Sequence, residues 1–116
     1  MKLRKIKEVL AADVICGHER LDEDVRTVSS ADLMSDVLAF ARPDSLLLTG
    51  LTNSQVVRTA EMSDITAICF VRGKKPQGDV IELARDKDIP LLTTKFSMYI
   101  SSGKLYKEGL PGSSER

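Results

Sequence analysis

Three short stretches carry side chains whose chemistry suits anion recognition. The first is Thr49-Gly50-Leu51-Thr52-Asn53-Ser54, placed between an apolar run and a helical pattern. Gly50 would let a ligand approach the backbone closely, and Thr52, Asn53 and Ser54 would act as donors. Exposed N–H groups and the positive end of the helix dipole favour negative charge at such a turn. The second is Arg72-Gly73-Lys74-Lys75, which could supply charge to a phosphate or carboxylate. The third is Thr93-Thr94-Lys95. Each also has a plain reading. The first is a turn before a capped helix, favoured for that loop alone because neither the Walker pattern nor G-x-G-x-x-G is complete. The second is a solvated basic turn.

Each stretch follows a strand-like segment, and that is what would bring them together. Ser45–Thr49 runs into a helix over Asn53–Met62. Thr66–Val71 runs into a helix over Asp79–Lys87, and Leu91–Thr94 into one over Phe96–Ser102 that Gly103 ends. Strands alternating with helices specify a parallel sheet, because each helix returns the chain across one face. Ligands of such sheets bind outside the carboxyl ends of the strands. Leu46-Leu47-Leu48 lacks polar alternation, as in a strand covered on both faces. Ile68-Cys69-Phe70-Val71 is the most apolar strand and is placed centrally.

Upstream, Leu3, Ile6, Val9 and Leu10 recur at helical spacing, so Lys2–Ala12 reads as an amphipathic helix. Strands follow at Asp13–Cys16 and Val25–Val28, separated by the charged loop His18–Asp24. Ser29-x-x-Asp32 is a capping-box pattern opening a helix over Ala31–Phe40. The expected architecture is a three-layer α/β domain with a mostly parallel sheet. It occupies residues 1–108, and the Gly/Pro/Ser-rich segment 109–116 is expected to be a flexible tail.

Composition excludes several classes. With 116 residues there is one domain. Lys+Arg and Asp+Glu are equal at 17 each, so no global field attracts nucleic acid or an anionic membrane. No apolar run approaches the ~20 residues of a membrane span, and Met1-Lys2-Leu3-Arg4-Lys5 lacks the apolar stretch of a signal peptide. A cytoplasmic location is expected. Cys16 and Cys69 lie in apolar runs and read as buried thiols. His18 is the only histidine. Cys16-x-His18 matches no zinc or iron spacing, so no metal is expected. Nothing in sequence brings His18 to Ser35, Ser54 or Cys69, so no catalytic residue is assigned.

From Leu46 through Gly50-Leu51-Thr52-Asn53 to Glu61 the chain resembles the DRTGG domain family. Ile68–Pro76 and Ile89–Thr94 continue the likeness, which runs from the first helix to Gly109. The resemblance implies an α/β module similar to the N-terminal domain of HPr kinase and to the uridine-nucleotide-binding domain of Mur ligases. It also implies a contribution to dimerisation, and small stand-alone members associated with hydrogenases and other redox proteins. The kinase label that follows this family belongs to a P-loop domain, and this chain has no P-loop. The family-name positions read Thr52-Asn53 and Val71-Arg72-Gly73 here.

The expected function is a non-catalytic regulatory or ligand-sensing module. Its ligand is a nucleotide or phosphorylated metabolite, held by Thr49, Gly50, Thr52, Asn53, Ser54, Arg72, Gly73, Lys74, Thr93 and Thr94, with no cofactor. A homodimer is expected from the resemblance and from Met34, Met62, Met98, Tyr99 and Leu105, which exceed what a small core needs. The alternatives are an enzyme or enzyme subunit acting on a phosphorylated metabolite, and an accessory protein docking on a redox enzyme.

Overall fold

The computed structural model describes residues 1–113. The elements in chain order are α1 (Leu3–Val9), β1 (Asp13–Cys16), β2 (Thr27–Ser30), α2 (Met34–Phe40), β3 (Ser45–Thr49) and α3 (Ser54–Met62). They continue with β4 (Ala67–Phe70), α4 (Gly78–Asp86), β5 (Leu91–Thr93) and α5 (Met98–Lys107). The five strands form one sheet in the order β1-β5-β4-β3-β2. The strands β2 to β5 pair in parallel, while β1 runs antiparallel along β5. The expected three-layer, mostly parallel α/β architecture is borne out, with β4 in the middle of the sheet.

The four parallel strands follow one another both in sequence and in space. Right-handed crossovers in one direction must then stack α2, α3 and α4 on the same face. On that face Val37, Val56, Val57, Ala60, Val80 and Ala84 bury Leu47, Ile68, Phe70 and Leu91. On the other, Leu3, Ile6 and Leu10 of the α1 segment and Leu105 of α5 cover Leu46, Leu48, Cys69 and Leu92. The sheet is apolar on both sides because both sides are covered, which is why its strands show no polar alternation.

Among the boundaries that differ from the sequence reading, three change how an element starts or ends in the packing. Strand β2 begins at Thr27, two residues later than expected. The capping box at Ser29 is not formed: α2 starts at Met34 after Leu33, with no side-chain cap. Helix α5 runs through Gly103 to Lys107, started by Ser97, whose hydroxyl accepts from the Ile100 N–H at 3.2 Å. Glycine weakens a helix without forbidding it, and burial of Ser101 and Leu105 on both sides of it carries the helix onward.

Residues 110–113 of the expected flexible tail lie against the fold. Leu110 and Ser113 are buried. The Val28 N–H donates to the Pro111 carbonyl at 2.9 Å, covering part of the edge strand. The Ser113 hydroxyl shares hydrogen bonds with Thr27 Oγ1 at 2.8 Å and Ser45 Oγ at 3.2 Å. Arg42 Nε donates to the Ser113 carbonyl at 3.0 Å. Residues 114–116 lie outside the described residues.

Both cysteines are buried, as expected. Burial pushes the Cys69 thiol up to about 12 and raises Cys16 as well. A neutral buried thiol favours the fold fully below the unfolded value of 9.0, and that advantage is lost as pH rises from there toward about 12. By about pH 10.5 the loss at Cys69 should reach roughly 2 kcal/mol. Urea melts at pH 8 and 10.5 measure it, and subtracting the Cys69→Ala profile isolates this thiol. Identical alkaline slopes for both proteins would contradict it.

Candidate functional site

The connection after β4 passes to the face that carries α4, and the one after β5 passes to the opposite face and α5. Adjacent parallel strands whose connections diverge in this way mark the usual crevice of an open α/β sheet. Here the two loops close on each other. Arg72 and Gly73 take left-handed backbone conformations, with φ of 59° and 69°. The turn they make aims the Arg72 N–H at the Phe96 carbonyl (2.8 Å) and the Gly73 N–H at the Thr94 carbonyl (2.7 Å). The Thr93 hydroxyl donates to the Lys74 carbonyl at 2.7 Å. The crevice between β4 and β5 is therefore bridged by backbone groups.

Those contacts sort the expected site residues. Thr49, Thr93 and Thr94 are buried. The Thr94 hydroxyl donates to the Leu10 carbonyl at 2.6 Å, tying the β5 end to the α1 segment. The Thr49 hydroxyl donates to Asp32 Oδ1 at 2.9 Å and accepts from the Leu51 N–H at 3.2 Å. All three hydroxyls hold the loops in place. Asn53, Ser54, Arg72, Gly73 and Lys74 are exposed on the same edge of the sheet, with Gly50 and Thr52 half-buried among them. Asn53 is the N-cap of α3, but its side chain makes no capping bond. That leaves the first N–H groups of a nine-residue helix pointing outward at this edge.

Asp32 was missed by the sequence reading, which placed it in a capping box. It stands just past the carboxyl end of β2 and crosses to β3. Its Oδ1 accepts from the Gly50 N–H at 2.7 Å as well as from Thr49. A Cβ added at Gly50 would lie 3.6 Å from Asp32 Oδ1 and 3.6 Å from Lys74 Nζ. The Gly50 amide expected to meet an incoming anion thus already holds a carboxylate of the chain itself, with an ammonium group close by. The Gly50 N–H is thus taken, while the α3 amino end, Arg72 and Lys74 remain exposed on this edge. Lys104, far along the sequence, sits 4.8 Å over the Phe96 ring beside this edge.

His18 lies elsewhere. It follows β1, and Cys16 at the end of β1 pairs with Leu91 at the start of β5. The histidine is therefore at the amino edge of the parallel strands, a full strand length from the loops above. Among the described residues no group of three His, Cys, Asp or Glu side chains is placed to hold a metal ion, and no helix is long and apolar enough to cross a membrane.

Residues 5–106 match the DRTGG domain. The chain belongs to the DRTGG domain family. No curated protein sequence matches it. Among solved structures it is similar to the CBS and DRTGG domains of the regulatory region of Clostridium perfringens pyrophosphatase, determined in complex with the activator diadenosine tetraphosphate. The likeness has a TM-score of 0.75 at 20% identity and covers 95% of this chain. This DRTGG domain spans 47% of that chain, so the likeness is one of fold.

Proposed function

We propose that this DRTGG domain is a non-catalytic regulatory module that senses a nucleotide or other phosphorylated metabolite at the carboxyl edge of its sheet. It works as a cytoplasmic homodimer and serves a redox system of the hydrogenase type, as the family resemblance suggests. What supports the ligand reading is the uncapped amino end of α3 on the edge where Lys74 Nζ lies beside Gly50 and the Arg72-Gly73 turn emerges. Phosphate oxygens fit that combination of N–H groups and fixed positive charge. The regulatory region of the pyrophosphatase, which contains a DRTGG domain and is complexed with a dinucleoside polyphosphate activator, supports the class of ligand. The absence of catalysis is supported by the three threonine hydroxyls engaged in internal bonds and by the distance of His18 from this edge.

Titration calorimetry with ATP and with diadenosine tetraphosphate tests the reading. Removing one charge-assisted bond costs about 1.5–3 kcal/mol, so Arg72→Ala should weaken binding roughly ten- to a hundred-fold. Asn53→Ala should weaken it less. The nucleotide should be recovered intact after hours with magnesium. Equal affinity in wild type and both variants would remove the site from this edge, and turnover abolished by a substitution in 49–55 would make the protein an enzyme.

A further inference from the structure

The outward face of α5 is apolar where solvent should make it polar. Ser101 and Leu105 are fully buried and define the inward face. At about 100° per residue, Gly103 lies on the opposite, outermost line, with Tyr99, Tyr106, Ile100 and Lys107 within about 60° of it. Tyr99 is 84% exposed, Tyr106 75% and Ile100 43%. Helices of small domains put charged and polar residues on such a line. Two tyrosines and an isoleucine around a glycine depart from that pattern.

Nothing inside the chain asks for glycine at 103. A Cβ there would meet no atom within 4 Å, and the residue has no positive φ. Glycine is nonetheless among the poorest helix formers. Its effect is a notch in the helix surface between two protruding rings. Beside the notch runs a groove of about 600 Å3 between α5 and the β2 edge, floored by Val28, Ser30 and Leu110. The Ser30 and Ser102 hydroxyls, 2.8 Å apart, pin the helix to that edge. A second hollow continues across β2 to the exposed Phe40 of α2, sharing Val28, Ser30 and Gly112 with the first.

We infer that this face is where a second copy of the chain docks, α5 against α5 about a two-fold axis, with a tyrosine of each copy seated over Gly103 of the other. The inference rests on the homodimer reading above and names its surface. Knob and hole stand on the same helix, so a two-fold partner satisfies both at once. A small ligand would fill the hole and leave the rings in water. Lys107 beside the notch is placed to lie over a partner's tyrosine ring, an attraction that two copies make reciprocally. Aromatic side chains bury about 150–250 Å2 each. Tyr99, Tyr106 and Phe40 together with Ile100 and the groove therefore approach the ~800 Å2 per partner of a stable interface.

Sedimentation velocity on the full chain across a concentration series tests this. Wild type should sediment at twice the 12.8 kDa chain mass. Gly103→Gln fills the notch with a better helix former whose Cβ meets no atom of its own chain within 4 Å. It should melt no lower than wild type at dilution, yet raise the dimer dissociation constant at least ten-fold. Tyr106→Lys should do the same, while Met62→Lys, on α3 and 68% exposed, should leave the dimer intact. Monomeric wild type at every accessible concentration would overturn the homodimer and this face together. A dimer that survives both α5 substitutions would overturn the face alone.

Discussion

Gly17→Ala should unfold this protein more readily than a methyl group added at Gly50, Gly73, Gly78, Gly103 or Gly109. Gly17 ends β1 at φ 86°, a left-handed conformation. A Cβ there would stand 2.6 Å from Pro90 Cα and 2.8 Å from Pro90 Cβ. Both are atoms of a rigid residue at the entrance to β5, which has no side-chain end to swing aside. The conformational strain of about 1–2 kcal/mol adds to an overlap of about 1–3 kcal/mol, for roughly 2–5 kcal/mol in all. In a domain of this size that lowers the melting temperature by on the order of 10–20 °C. Gly73→Ala is the internal comparison, since φ is 69° but nothing lies within 4 Å of its added Cβ. It should lose only about 1 kcal/mol. Equal losses in thermal melts of the two variants would show that the contact with Pro90 is readily relieved.

Phe70→Ala should be comparably damaging for a different reason. Phe70 is fully buried at the carboxyl end of the central strand, under α3 and α4. It pairs with Thr49 on one side and Thr93 on the other, and the Thr94 N–H donates to its carbonyl at 2.9 Å. Truncation removes the ring from the middle of a covered face and leaves a cavity, at about 3–5 kcal/mol. Phe70 ends the strand that leads into the Arg72–Lys74 loop, so under the proposed function nucleotide affinity should fall with stability. Chemical denaturation with nucleotide titration at low temperature checks both. A stability loss below about 1 kcal/mol would mean that the neighbouring side chains collapse into the space.

Much of this architecture was legible because the strands are short, apolar and regularly separated by helical patterns. Leu46–Leu48 and Ile68–Phe70 could be recognised as doubly covered, and the edge on which their loops emerge follows from parallel pairing alone. What stayed hidden depends on neighbours distant in sequence. Ser29-x-x-Asp32 looks like a local cap, yet Asp32 turns to Gly50 and Thr49 once β3 lies beside β2. The hydroxyls of Thr93 and Thr94 resemble ligand donors until the carbonyls of Lys74 and Leu10 take them. Gly103 resembles a helix stop because local propensity is read without the burial of Leu105, and Pro111–Ser113 resembles a loose end because its partners are Thr27, Val28 and Ser45. Of the residues expected to favour a dimer, Met34 and Leu105 are core, while Met62 and Tyr99 are exposed.

The first and last described stretches meet at the amino edge of the sheet. The Met1 ammonium donates to the Val25 carbonyl at 2.9 Å, and Met1, Val25, Leu110 and Pro111 line one hollow. Thr27 and Ser45, which grip Ser113, begin β2 and β3, the strands whose far ends lead to Asp32 and Asn53. A host polypeptide could therefore be spliced around this fold as around a bracket, entering and leaving at neighbouring points with short joints on both sides. Bridging the Met1 and Ser113 stretches and reopening the chain at an exposed loop should leave the pairing of all five strands as it is. Any pull or twist applied through such joints would reach the fold at the opposite pole from the carboxyl-edge loops, along the length of the parallel strands.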